Sequence, residues 1–172
     1  MSEEMNLKVD LSRLSKEERD EFKRLTEKAS RESRVWKPKY GEHYFTIDAD
    51  TRVIEATWRN ATSDKFRWAT GLVFKTQEEA EFALGKMMVK TELERYAREH
   101  NDPSLEEWNT YNNHYFITCD TDASCLEVSY RACERSAIIY FTSKEIAEDA
   151  IKEIGEQRII KYLFGVDCEE DE

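Results

Sequence analysis

A chain of 172 residues with 40% hydrophobic content, eight Phe, eight Tyr and four Trp has enough apolar surface to order one medium domain, which excludes disorder as its ground state. A net charge of −11 excludes general binding to duplex nucleic acid, where most affinity comes from neutralised phosphates. With no long apolar run, no legible signal peptide and no C-x-x-C spacing among Cys119, Cys125, Cys133 and Cys168, the expectation is a cytoplasmic protein with reduced thiols and no membrane partner.

In chain order, Ser15 with Glu18 three residues on forms a capping-box pattern, opening a helix that runs to about Arg34. Its apolar stripe, Phe22, Leu25 and Ala29, is thin, as on a surface helix. Pro38 disfavours helical geometry at Lys37, and Gly41 permits a turn. His43–Asp48 and Val53–Arg59 then alternate as two strands of a hairpin, and Phe66–Phe74 reads as a third strand. Thr76 and Glu79 make a second capping box for a helix to about His100. That helix carries two apolar stripes: Ala80, Leu84, Met87 and Thr91 on one side, Phe82, Val89, Leu93 and Tyr96 on the other. Such a helix is covered on both sides, which predicts self-association if one chain cannot supply both covers.

The second half repeats the first. His114-Tyr115-Phe116 follows His43-Tyr44-Phe45 by 71 residues, and Phe141 follows Phe74 by 67. Leu126–Tyr130 and Ala137–Phe141 read as its remaining strands, and Thr142 with Glu145 as a third capping box. The predicted fold is α+β: a helical segment over 1–35, two tandem β-β-β-α modules over 36–104 and 105–166 with antiparallel strands packed as one body, and an acidic tail over 167–172.

Asp48-Ala49-Asp50 and Asp120-Thr121-Asp122 share a D-x-D spacing that suits a divalent ion, yet both fall where a strand ends, where Asp is favoured for bonding nearby backbone N–H groups. His43 and His114 open equivalent strands, which points to structure rather than catalysis, and no glycine-rich phosphate loop or nucleophile elbow is present. The expectation is no catalytic residue, metal or cofactor. One cluster stands out. Between Arg31 and Lys75, nine Lys/Arg meet six Asp/Glu, leaving −14 on the rest of the chain. Within that basic third, Arg34, Trp36, Lys37, Lys39, Tyr40, Arg59, Lys65 and Arg67 combine rings that stack on bases with cations that neutralise phosphate. Trp58 and Trp68, which share strand faces with apolar residues, are expected in the core.

The wording of three segments carries a resemblance. W-K-P-K-Y-G-E-H-Y at 36–44, T-G-L-V-F-K-T-Q-E-E-A-E-F-A at 70–83, and Y-F-T-S-K-E-I-A-E-D-A-I-K-E-I-G at 140–155 with K-Y-L-F-G-V at 161–166 resemble small proteins encoded by tailed phages and prophages of Gram-positive bacteria. The resemblance spans residues 36–166 and carries over no catalytic or ligand residue. It implies an accessory protein made inside an infected bacterial cell. On that footing the expected function is non-enzymatic: an anti-defence inhibitor, anti-CRISPR-like, that binds a host nuclease or effector through an acidic surface. The alternative is a protein that binds or sequesters a nucleotide or single-stranded nucleic acid through the basic-aromatic cluster.

Overall fold

The computed structural model describes residues 14–30, 35–121, 125–136 and 138–166. Arg34, Asp122, Ala137, the side chain of Ala29 and the acidic segment 167–172 with Cys168 lie outside the described residues. The chain divides into two units, residues 1–37 and 38–172.

The first unit holds α1 (Lys16–Ser30). Its capping box forms as the sequence implies: the Ser15 hydroxyl accepts from the Glu18 N–H at 3.3 Å, and the Glu18 carboxylate accepts from the Ser15 N–H at 2.8 Å.

The second unit opens with a hairpin, β1 (His43–Ile47) and β2 (Val53–Thr57), in a register that sets Phe45 opposite Glu55. Asp48 closes the connection by accepting from the Asp50 and Arg52 N–H groups, both at 2.9 Å. The expected third strand is not formed over most of its length. Residues Thr62–Ala69 are helix α2 instead, and only Phe74 bridges β1, exchanging N–H···O bonds of 2.9 and 3.0 Å with Phe45. The physical reason lies upstream of the apolar alternation. Asn60 takes a positive φ of 58°, turning the chain, and Asp64 in the first helical turn accepts from the Ala61 N–H at 3.0 Å. These start signals override the period-two pattern of Phe66 and Trp68, and Phe66 is left 65% exposed.

Helix α3 (Gln77–His100) is capped by Thr76 and Glu79 as expected. It touches β1, β2, α4 and the C-terminal turn, burying Ala80, Val89, Leu93 and Ala97, whereas Met87, Met88 and Thr91 stay exposed. A second hairpin follows a 3-10 turn at Pro103–Leu105: β3 (His114–Asp120) pairs with β4 (Cys125–Arg131) so that His114 faces Arg131. Here too only one described residue of the expected third strand pairs: Phe141 exchanges two 2.8 Å bonds with Tyr115.

Helix α4 (Lys144–Ile154) starts one residue later than its sequence signal. Ser143 is the N-cap, accepting from the Ile146 N–H at 3.2 Å, while Thr142 is engaged elsewhere. Gly155, at a φ of 99° that L side chains avoid, ends α4 and leads into α5 (Glu156–Ile159) and a π turn at Ile160–Phe164. The described residues are thus α+β, with five α-helices and two two-stranded antiparallel sheets. Val89, Leu93, Phe141, Ala147, Ala150, Ile154 and Ile159 form the centre of the core. No described helix is long and apolar enough to cross a membrane.

Candidate functional site

The first hairpin packs one face toward α3 and the second toward α4, and each has a second face away from its helix. What covers the outer face differs between the halves, and the difference creates the site.

In the first half the outer face carries Tyr44 and Thr46, both fully buried, with Trp58. Helix α2 closes over it. The Tyr44 hydroxyl donates to Asp64 Oδ1 at 2.8 Å and accepts from Arg67 Nη1 at 2.9 Å, while Asp64 Oδ2 accepts from the Arg59 and Ala61 N–H groups at 2.9 and 3.0 Å. Asp64 is 4% exposed. Burial by itself raises its pKa, but the bonds from Arg59, Tyr44 and Ala61 and the charge of Arg67 outweigh burial, so the carboxyl sits below its ordinary value. Trp58 donates its indole N–H to Asn60 Oδ1 at 2.7 Å.

This network decides the fate of several residues read from sequence as binding candidates. Arg67 is half-buried and committed to Tyr44. Arg59 gives its backbone N–H to Asp64 and leaves its side chain exposed, as Lys65 does. Lys39 donates its backbone N–H to Glu42 at 2.7 Å, and Tyr40 is exposed. Trp36, half-buried, and Lys37, exposed, belong to the first unit, and Arg34 lies outside the described residues.

In the second half no helix lies among the described residues between the hairpin and the bridging residue Phe141, and the outer face holds a polar cleft of about 420 Å³. Its floor is His114, only 3% exposed. The Trp108 ring stacks on the imidazole at 3.7 Å, nearly parallel, and Tyr140 meets Trp108 edge-on at 4.7 Å. His114 Nε2 lies 3.3 Å from the Glu106 carbonyl oxygen, which can only accept, so Nε2 carries a hydrogen, and in the neutral imidazole Nδ1 is an acceptor. That Nδ1 is buried and has no hydrogen-bond partner among the described residues.

Most other polar groups of the cleft are spent on the scaffold. Asn101, just past the end of α3, donates to the Tyr140 carbonyl at 3.1 Å and accepts from the Thr142 N–H at 3.0 Å; the Thr142 hydroxyl accepts from the Asp102 N–H at 2.9 Å. Arg131 donates to the Ser136 hydroxyl at 2.8 Å, and the Ser136 N–H donates to the Tyr140 hydroxyl at 3.0 Å. Arg135 differs. Its guanidinium carbon stands 5.7 Å from the centre of the Trp108 ring, exposed at the rim, and no carboxylate among the described residues reaches it within ion-pair distance. The lining therefore offers two rings, the Arg135 cation and the buried His114 Nδ1, with the exposed Glu106 also on the wall.

The residues that line this cleft, among them Trp108, His114, Arg135 and Tyr140, lie in the second half, outside the basic middle third where the sequence sets its binding candidates. Trp108, Tyr111 and His114 mirror Trp36, Tyr40 and His43 in order, so the sequence pattern alone did not set the second half apart. A second, apolar groove of about 250 Å³ runs between α3 and β3, lined by Leu93, Ile117, Phe141 and Phe164 with Lys90 at its edge. Among the described residues no group of three or more His, Cys, Asp or Glu is placed to hold a metal ion. No family model, curated protein or solved structure matches the chain, so the cleft is read from its own geometry.

Proposed function

We propose that this protein acts by binding, and that the second-half cleft takes a small ring-bearing anion of the nucleotide class. The observation that carries the reading is Arg135: a guanidinium without an ion-pair partner among the described residues, held over an indole at the mouth of a cleft large enough for a ligand of that size. Rings at Trp108 and Tyr140 supply stacking or edge contacts, and Arg135 supplies the charge that the phosphate requires. This keeps the nucleotide reading of the sequence but moves it from the basic middle third to the second hairpin. The test is calorimetry of the full chain against nucleoside monophosphates, cyclic nucleotides and short oligonucleotides. Saturable micromolar heat that disappears in Arg135→Ala supports the reading; no heat up to high micromolar ligand refutes it.

A second reading rests on a different surface. Tyr96 on α3 lies in a depression with Glu92, which pairs with Arg158, and with Arg95, Glu99 and Glu153, and its hydroxyl pKa is raised, first by burial and then by the charges of Glu153 and Asp149. An acidic face of this kind suits a basic protein surface, the mode expected of an anti-defence inhibitor in an infected cell. Capture of one defence nuclease or effector by the wild-type chain, lost in the Glu99→Lys/Glu153→Lys variant, supports it; equal capture by both proteins refutes it.

A further inference from the structure

Both hairpins are two-stranded, and in each the inner strand is bridged on its far side by one residue, so β2 and β4 each have a side without a strand partner among the described residues. Backbone direction alternates along a strand, so the register identifies the groups on each free side. Tyr115 directs its N–H and C=O to Phe141, so its neighbours His114 and Phe116 direct theirs to β4, where Arg131 and Ser129 face them. The outward-facing backbone groups of β4 are therefore those of Leu126, Val128 and Tyr130. By the same rule Phe45 faces Phe74, and the outward residues of β2 are Val53, Glu55 and Thr57.

The two edges are chemically unlike. Glu55 sits at the centre of the β2 edge, exposed and 3.1 Å from His43, so a two-fold antiparallel contact there would set two carboxylates face to face. On β4 the central outward residue is Val128, flanked by Leu126 and Tyr130, with no charge, lysine or proline among the three. The Tyr130 side chain is 61% exposed, resting on Tyr115 with ring centres 5.9 Å apart. Among the described residues, the contact that blocks this edge is the Leu126 N–H to Glu156 Oε1, a long 3.4 Å.

We infer that β4 is a pairing edge for a second copy of this chain, joined antiparallel about a two-fold axis at Val128. In that arrangement Val128 faces its counterpart, Leu126 faces Tyr130 of the other copy, and Glu127 lies diagonal to the other copy's Arg131, an attractive cross-strand pair. The outward N–H and C=O groups supply about six inter-chain hydrogen bonds, and the two hairpins join as one four-stranded sheet. A strand edge alone is smaller than a standard interface, so the dimer is weak and concentration-dependent.

The experiment is sedimentation velocity of the full chain from low to high micromolar, with amide hydrogen exchange at both ends of the range. The expected result is a reversible dimer in which the Val128 and Tyr130 amides gain protection as concentration rises. Tyr130→Pro removes an outward N–H near the strand end without touching a hairpin bond, and it is expected to abolish the dimer; Val128→Pro does the same at the centre. Circular dichroism selects which of the two remains folded. A monomer at every concentration overturns the proposal, as does a dimer that persists in the folded proline variant.

Discussion

The ring of Tyr162 lies against Gly85, in the space a β-carbon on α3 would need. A glycine in the middle of a 24-residue helix weakens it by about 1 kcal/mol relative to alanine, so its presence is set by packing. With no side chain there, the C-terminal π turn can bring Tyr162 onto the helix, where the ring also meets Phe82 at 5.8 Å. Gly85→Ala is expected to lower stability despite the propensity gain, because forcing a methyl into a filled site costs about 1–3 kcal/mol. Thermal or urea unfolding measures it. Gly85→Ala with Tyr162→Leu should recover part of the loss, whereas equal loss in the single and double variants would show that the ring is not the obstacle.

Asp64 predicts a pH dependence. Its folded pKa lies below the ordinary carboxylate value, so the unfolded state binds the proton more readily, and the stabilisation is present above the unfolded value of about 3.9. It is lost as pH falls through the depressed folded value. Asp64→Asn keeps the size but removes the charge, and its unfolding free energy should fall less steeply than wild type below about pH 4. At neutral pH the same variant is expected to be about 1–3 kcal/mol less stable, since the donors of Tyr44, Arg59 and Ala61 face a poorer acceptor. Parallel slopes for the two proteins in acid would place the titration elsewhere.

Asn101 acts as a surrogate strand residue, bonding both the Tyr140 carbonyl and the Thr142 N–H. Asn101→Ala leaves both backbone groups without partners in a half-buried place. The expected loss is about 1–3 kcal/mol, with faster amide exchange at Thr142 and little change at Tyr115, whose own bond is to Phe141. Uniform acceleration across β3 would mean that the residue supports the whole hairpin rather than this junction.

What was legible from the residues follows from which signals are local. The caps at Ser15 and Thr76, the length of α3 and the first hairpin are written in neighbouring residues, and all form where expected. The helix α2 was misread because Phe66, Trp68, Leu72 and Phe74 alternate like a strand, while the decisive bonds of Asp64 reach out to Tyr44 and Arg59, 20 and 5 residues away. The repeat itself misled at one point. Wording aligns His43 with His114, but the bridges align Phe45 with Tyr115, a spacing of 70 rather than 71, so the buried His114 stands at the place of Tyr44 while His43 is exposed. A slip of one residue exchanges the two faces of a strand. It hid the cleft, whose floor is the histidine taken as merely equivalent to an exposed one.

Trp108 and Arg135 separate the architecture of the cleft from its chemistry. Trp108 stacks on His114 and receives the edge of Tyr140, so Trp108→Ala removes cover from a buried imidazole and is expected to lower stability by about 2 kcal/mol or more, while Trp108→Phe retains a ring and most of that stability. Arg135 makes no hydrogen bond or ion pair to another described residue, and substituting it should change stability by no more than about 0.5 kcal/mol. Unfolding curves and nucleotide titrations of Arg135→Ala, Arg135→Lys and Trp108→Phe therefore answer different questions. If the guanidinium is the anion contact, Arg135→Ala abolishes titration heat at unchanged stability, and Arg135→Lys restores only part of it, because an ammonium lacks the planar fork that grips a phosphate at two oxygens. A large loss of stability in Arg135→Ala would instead make the residue part of the scaffold and remove the geometric basis for an anion at the cleft.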